Sequence, residues 1–388
     1  MKILHTSDWH IGKRLAGRER LNEQRAVLDE IAAICEREGV ELVLVAGDVF
    51  DTFLPSAEAE GEFFRAVKKI AAENRCLLAI SGNHDDYVRL TAAAVLAEEQ
   101  GIYLYGNAER IPRLYPRKGL RASEAGAHHI VFVNERGEEV FVNVLPYPNE
   151  ARLKEDKAPE ESFSDKMRRW IEAGQRENAR ALPSVFLSHL FVAGGAVSES
   201  EREIDLGGAR AVPLELLPAR DYSALGHLHK RQAFRGNVVY SGSILQYAFD
   251  EVGAEKSVTV FDLDKQGVHG LHTVPLTAGR KLVRLTESDA ERAAALLRTY
   301  ENCYIELTLL LSEPLTAQQV RALREANEGL VSIVPVLSGG AEEELAVQRR
   351  QMSARELFAA YYKSLYAEEP PQPLMELFLS LSEDADET

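Results

Sequence analysis

The chain has 388 residues, 45% of them hydrophobic, with a formal net charge of −16; it is too long for one typical domain and apolar enough to bury substantial cores, so two or three units are expected. A freestanding duplex binder is normally basic, because phosphate neutralisation supplies most of its affinity, so this charge argues against a chain that grips nucleic acid unaided. The three cysteines, Cys35, Cys76 and Cys303, are scattered outside metal-type spacing, the first residues lack the apolar core of a signal peptide and no apolar stretch approaches 18 residues, which points to a reduced, cytoplasmic protein without a membrane span.

Residues 3–4 begin a short strand, 21–38 carry helical apolar spacing, and 41–46 form a buried-strand run ending at Gly47-Asp48. Residues 57–73 read as helix, 76–80 as strand, 82–86 as a loop and 91–99 as another helix. The next stretch is richer in strands: 130–133 and 139–144 form a hairpin around Asn134-Glu135-Arg136-Gly137, followed by strands at 185–187, 222–225 and 238–240. A second unit begins near Gly279, with strand-like 281–285, 304–311 and 330–337 separated by helical 290–299 and 317–325, a small βαβαβ module. After Ser338-Gly339-Gly340 and an acidic run, Ser353-Ala354-Arg355-Glu356 has the form of a helix capping box. The helix it opens presents Leu357, Phe358, Tyr361, Tyr362, Leu365 and Tyr366 at spacings of three and four, before Pro370, Pro371 and Pro373 break the chain.

Seven potential metal ligands fall at five places: Asp8 with His10, Asp48, Asn83, His189, and His227 with His229. Each follows an apolar run and a small or turn-forming residue, so successive strands are expected to deliver ligands to one sheet edge, where open α/β sheets place their sites. Two ions about 3.5–4 Å apart need a bridging ligand, which a carboxylate provides and a neutral imidazole cannot, and Asp48 is the bridge expected here. Asp8 and His10 sit two residues apart, so in extended backbone both side chains would point the same way, and His227 and His229 repeat the pattern. A mixture of imidazole, carboxylate and amide suits manganese, iron or zinc better than magnesium, and manganese is preferred. Each motif alone has an ordinary reading, as a turn aspartate, a surface histidine or, for Gly-Asn-His-Asp, a common turn; the five in order do not. His5, His128, His129, His269 and His272 are expected to be structural or surface residues. Lys13, Arg14, Arg18 and Arg20 read equally as solvated loop charges or as contacts to DNA.

Asp8-Trp9-His10, Gly47-Asp48-Val49-Phe50-Asp51, Gly82-Asn83-His84-Asp85, Ser188-His189 and Gly226-His227-Leu228-His229 resemble the successive motifs of the calcineurin-like metallophosphoesterases. More narrowly, the stretch from His189 through Gly194-Gly195, with Ser198-Glu199-Ser200-Glu201-Arg202, and Tyr240-Ser241-Gly242-Ser243 leading to Phe249-Asp250-Glu251, are similar to the SbcD-type nuclease subunits of bacterial SbcCD complexes.

The resemblance implies a four-layer α/β/β/α sandwich over residues 1–276, a small α+β capping domain over 280–340 that helps select DNA geometry, and a C-terminal helical partner-binding region over 345–388. It implies one ion held by Asp8, His10, Asp48 and His229, and a second held by Asp48, Asn83, His189 and His227. His84 matches a histidine that faces the scissile phosphate; an imidazole with a reference pKa of about 6.5 can donate a proton to the departing sugar oxygen. Asp51 is expected to orient His84 and raise its basicity through its carboxylate. The implied activity is a metal-dependent DNA nuclease of double-strand-break repair and hairpin processing, an exonuclease on duplex ends and an endonuclease on single strands or hairpins. No Gly-x-x-x-x-Gly-Lys-Ser/Thr loop occurs in the chain, so ATP would be consumed by a partner, an SMC-type ATPase of the SbcC kind that docks on the aromatic stripe of the C-terminal region. A homodimer within a heterotetramer, associated with the nucleoid, completes that expectation. The alternatives are a small-molecule phosphoesterase of the same superfamily and a structural subunit that recruits the ATPase to DNA without cleaving.

Overall fold

The computed structural model describes residues 1–107, 110–149, 161–201, 211–218, 221–235 and 237–337, and towards the C-terminus 358, 359, 362, 370–372, 374 and 375. The first third of the chain alternates strand and helix. Strands β1 (Lys2–Thr6), β2 (Leu42–Val45), β3 (Cys76–Ile80) and β4 (Ile102–Tyr105) are separated by helices α1 (Leu21–Glu38), α2 (Ala57–Ala71), α3 (Tyr87–Leu90) and α4 (Ala94–Glu98). The strands pair in parallel in sequence order, as helical crossovers require. Strands β2, β3 and β4 are buried and apolar along their length because both faces are covered, while β1 also carries Lys2, His5 and Thr6. In β2, Val43 and Val45 face the helices while Leu42 and Leu44 face the opposite way, the period-two alternation of a strand.

The middle of the chain builds a second sheet from β5 (Arg121–Ala125), β6 (His129–Val133), β7 (Glu139–Leu145), then helix α5 (Phe163–Arg176), and β8 (Ser184–His189), β9 (Tyr222–Gly226), β10 (Gln232–Phe234) and β11 (Val238–Tyr240). Its order is β10-β11-β9-β8-β7-β6-β5. The chain then returns to the first sheet through β12 (Ser257–Asp264) and β13 (Gly267–Pro275), with β12 antiparallel to β1 and Leu4 opposite Val260.

Three apolar layers separate these elements. Val27, Ile31, Phe63 and Val67 of α1 and α2 pack on Leu4, Val43 and Leu77. Between the sheets, Ile3, Leu44 and Leu78 meet Phe132, Val142 and Leu187. On the far side, Met167, Trp170 and Ile171 of α5 cover Phe186, Leu225 and Tyr240. The result is the α/β/β/α sandwich expected from the sequence. Several elements were not expected: β4, β5, α5, β10 and the β12–β13 hairpin. The helix expected over 91–99 is shorter, because Asp86 caps α3 by accepting from Val88 N and Arg89 N at 2.9 Å and the Thr91 hydroxyl donates back to Tyr87 O at 2.9 Å, so a fresh helix starts only at Ala94.

By compactness the chain divides into Met1–Val283 with Asn302–Tyr304, and Arg284–Glu301 with Ile305–Thr388. The later elements are β14 (Lys281–Glu287), α6 (Ala290–Leu297), β15 (Cys303–Leu311), α7 (Ala317–Ala326) and β16 (Leu330–Leu337). The strands form one sheet in the order β14-β15-β16, with β15 and β16 parallel, in the expected βαβαβ sequence. Asp289 and Thr316 cap the two helices by accepting from Arg292 N and Gln319 N. The expected capping box at 353–356 and the stripe residues Leu357, Tyr361, Leu365 and Tyr366 lie outside the described residues; the rings of Phe358 and Tyr362 lie 6.2 Å apart. Among the described residues no helix is long and apolar enough to cross a membrane.

Candidate metal centre

The seven expected ligands and His84 are all buried and come from the C-terminal ends of strands in both sheets. Asp8 and His10 follow β1, Asp48 follows β2, and Asn83 and His84 follow β3. In the second sheet His189 ends β8, while His227 and His229 follow β9. The backbone that presents them is strained. Asp8, His10, Asp48 and His227 have φ of +51°, +44°, +47° and +107°, in a region that L-residues enter at a cost of about 1–3 kcal/mol each. The expectation that Asp8 and His10 share a site because they lie in extended backbone is therefore corrected: left-handed turns after the strand bring them together. The preceding glycines make room for facing groups. A Cβ on Gly47, itself at φ +85°, would run into the His189 ring, and one on Gly82 into the Asp48 carboxylate.

The ligand-type atoms converge on two neighbouring points. On one side, His10 Nε2 and His229 Nε2 are 3.0 Å apart, and Asp8, His10 and His229 each bring one such atom within 4.8 Å of the others. On the other, Asn83 Oδ1 lies 2.8 Å from His189 Nε2 and 3.2 Å from His227 Nδ1. Asp48 stands between them. Its Oδ1 accepts the main-chain N–H of His84 at 2.8 Å, while its Oδ2 is 3.5 Å from both His10 Nε2 and His189 Nε2. His189 Nδ1 donates to Ala46 O at 2.8 Å, which fixes the ring with Nε2 turned towards Asn83 and Asp48.

The donor set fits divalent cations. His10 Nε2 and His229 Nε2, 3.0 Å apart, are close enough for one ion to take both as donors. The charges agree. Burial, aided by the charge of Asp48, pushes the Asp8 carboxyl up to about 8 against the pull of His189, and a bound cation is the charge that would favour its ionised form. Burial opposes ionisation of Asp48 too, but the charges of His189 and His84 hold it well below the carboxylate range. His189 is raised to about 9: burial works against the rise and the Asp48 charge overcomes it.

His84 and Asp51 meet differently from the sequence expectation. His84 Nδ1 donates to the main-chain carbonyl of Asp51 at 2.7 Å, whereas the nearest Asp51 carboxylate oxygen is 4.0 Å away. That carboxylate instead holds Lys13 Nζ at 2.8 Å and sits 3.4 Å from His10 Nδ1. Among the basic residues considered as DNA contacts, Arg20 is buried, bonded to Glu23 and stacked between the Tyr247 and Tyr304 rings. Arg14 pairs with Glu19. His5 and His129 are core residues, and His269 and His272 lie on the surface.

Sequence reasoning did not anticipate the residues that brace the ligands. Asp8 Oδ1 accepts His227 N at 3.0 Å, tying the ends of β1 and β9 together. Glu201 Oε1 accepts His229 N at 2.6 Å. Gln24 of α1 donates to His10 O at 2.7 Å, and Tyr247 bonds Trp9 O and packs its ring 5.5 Å from that of His10. A glutamine on an otherwise apolar helix face was one available signal, because an interior amide needs a partner, and the motif that contains Glu201 was another.

The model of the calcineurin-like phosphoesterase family matches residues 1–231, a span that contains every expected ligand. The chain is also similar to bacterial proteins named as the SbcD component of the SbcCD nuclease. That of Bacillus subtilis is 34% identical, over 100% of this chain and 99% of its own length. That of Staphylococcus epidermidis is 30% identical over 75% of this chain and 73% of its own, and that of Rhodobacter capsulatus 36% identical over 68% and 66%. With ligand-bearing turns from both sheets gathered at one edge and matches that span them, the chain belongs to the calcineurin-like phosphoesterase family, in its SbcD branch.

Proposed function

We propose that the chain is a two-metal DNA nuclease, an exonuclease on duplex ends and an endonuclease on single strands or hairpins, that works with an SMC-type ATPase. The observation that carries this reading is the position of Asp48 Oδ2, 3.5 Å from both His10 and His189, so that one carboxylate faces both halves of the centre. Asp8, His10, Asp48 and His229 would hold one ion, and Asp48, Asn83, His189 and His227 the other. Manganese suits this donor set. When bound, the ions would polarise a phosphate oxygen and acidify a water for in-line attack. The chain's own part is positioning. The N–H of His84 fixes the Asp48 carboxylate, and the carbonyl of Asp51 engages His84 Nδ1, so Nε2 is the nitrogen available to give a proton to the departing sugar oxygen. The matched relatives carry nuclease and SbcCD in their names, which supports DNA as the substrate and an SbcC-type ATPase as the partner. The net charge of −16 favours DNA binding by the assembly over binding by this chain alone. Residues 280–340 would cap the site, and 345–388 would dock on the ATPase.

The test compares wild type with His84→Gln on end-labelled duplex, single-stranded circles and an aryl phosphodiester, with manganese and with chelator, alone and with the ATPase. Manganese-dependent DNA cleavage lost in the variant is the expected result. Aryl phosphodiester turnover with no DNA cleavage, even with the partner present, would point to a small-molecule phosphoesterase. A chain truncated after residue 344 should keep manganese-dependent aryl turnover and lose copurification with the ATPase.

A further inference from the structure

The segment carrying Ser198, Ser200 and Glu201 contributes no expected metal ligand, yet it closes around His229. Ser200 Oγ lies 2.5 Å from His229 Nδ1 and 3.0 Å from Glu251 Oε1. Glu251, wholly buried, also accepts Tyr247 N at 3.1 Å and Ala248 N at 3.2 Å, and its other oxygen pairs with Lys256. Lys256 Nζ, buried in turn, donates to Ser243 Oγ and to the main-chain oxygen of His229, both at 2.8 Å. Burying such an ion pair gains little stability over apolar residues of the same size. What it does provide is a carboxylate whose acceptors are fixed in place beside the centre.

Counting protons assigns the state of the histidine. A carboxylate only accepts, so the single hydroxyl proton of Ser200 goes to Glu251. Ser198 cannot supply another to Ser200, because its own goes to Asp250 Oδ1 at 2.9 Å. The contact between Ser200 and His229 must then use the proton on Nδ1, which leaves the lone pair on Nε2, the nitrogen that faces His10 Nε2 at 3.0 Å. The Glu251 carboxylate itself stays 4.0 Å from Nδ1, so the hydroxyl stands between carboxylate and ring.

We propose that Ser200, braced by the buried Glu251–Lys256 pair, is a positioning residue that holds His229 as the Nδ1–H tautomer with Nε2 directed at the metal centre. The proposal rests on the two-ion reading for its consequence and on geometry alone for the tautomer. Two measurements separate these. Nitrogen-15 NMR of the metal-free full chain, with His229 assigned by comparison with His229→Gln, should report the Nδ1–H form in wild type, a mixture in Ser200→Ala, and the wild-type form again in Ser200→Thr. Manganese titration calorimetry should show two binding events in wild type, with one weakened about 10- to 100-fold in Ser200→Ala, the other unchanged, and both restored in Ser200→Thr. Wild-type His229 protonated at Nε2 would overturn the proposal, and so would unchanged tautomer and affinities in Ser200→Ala. Failure of wild type to bind manganese at all would sink the two-ion reading while the tautomer measurement still judged Ser200.

Discussion

The carboxylate of Asp85 accepts the main-chain N–H of Phe50 at 2.9 Å. It accepts Val49 N at 3.1 Å and Gly82 N at 2.8 Å as well, so one buried side chain fastens the loop after β2 to the loop after β3. Asp48 and Asn83 sit on those two loops. Removing a partner strands buried N–H groups at about 1–3 kcal/mol each. Asp85→Ala should therefore destabilise the chain by roughly 3 kcal/mol in urea unfolding and weaken manganese binding in calorimetry. A variant as stable as wild type would show that water takes over all three bonds.

Metal removal should be visible in stability. Ligands that bind only the folded state stabilise it by mass action, about 2.7 kcal/mol at a hundredfold excess over Kd, so chelation should lower Tm and added manganese raise it. Asp48→Ala should lose most of the manganese-induced shift, because one oxygen of Asp48 faces both halves of the centre. A full shift in that variant would remove Asp48 from the bridging position.

Substitutions at Asp51 and His84 should differ in size. His84→Gln deletes the proposed proton donor and should slow cleavage about 10²- to 10⁴-fold. Asp51→Asn leaves the carbonyl that holds His84 and disturbs only Lys13 and the contact to His10, so a loss of about tenfold or less is expected in kcat. An equal collapse in both variants would restore the carboxylate to the role first expected for it.

Away from the centre, burial would raise the Glu23 carboxyl, but Arg20 outweighs it, helped by the Tyr304 hydroxyl and Arg280 N–H, and holds it below its ordinary value of 4.5. A carboxyl lowered in the folded state contributes stability that is complete above the unfolded pKa and lost as pH falls through the folded one. The stability gap between wild type and Glu23→Gln, both in chelator, should be flat above about pH 5 and narrow as pH drops below 4.5. A gap that stays constant to about pH 3 would show that Glu23 acts through shape alone.

Much of the ligand arrangement was legible because it is local: each ligand sits in a short motif after an apolar run, and strands covered on both faces announce themselves by composition. The elements that escaped are those whose identity depends on partners. Helix α5 buries only Met167, Trp170, Ile171 and Gly174, too sparse a stripe to stand out from its charges, and β5 is a half-exposed edge strand reading Arg-Ala-Ser-Glu-Ala. The β12–β13 hairpin follows the expected ligands and returns to pair with β1, a tertiary choice that no local pattern encodes. The role of the bracing residues was hidden for the same reason: Ser200 and Glu251 stand in separate motifs 51 positions apart, and their contact exists only once the chain is folded.

The two sheets of the sandwich touch through greasy side chains along their interior, but at the ligand edge they meet through polar groups, with Asp8 of one sheet on His227 of the other and Ala46 on His189. In the proposed assignment each ion would draw ligands from both sheets, so the pair of ions would act as a rivet through the two halves. Cleavage chemistry would then be located at the seam where coordination joins the sheets, and a shift of one sheet against the other would move the ligands of both ions.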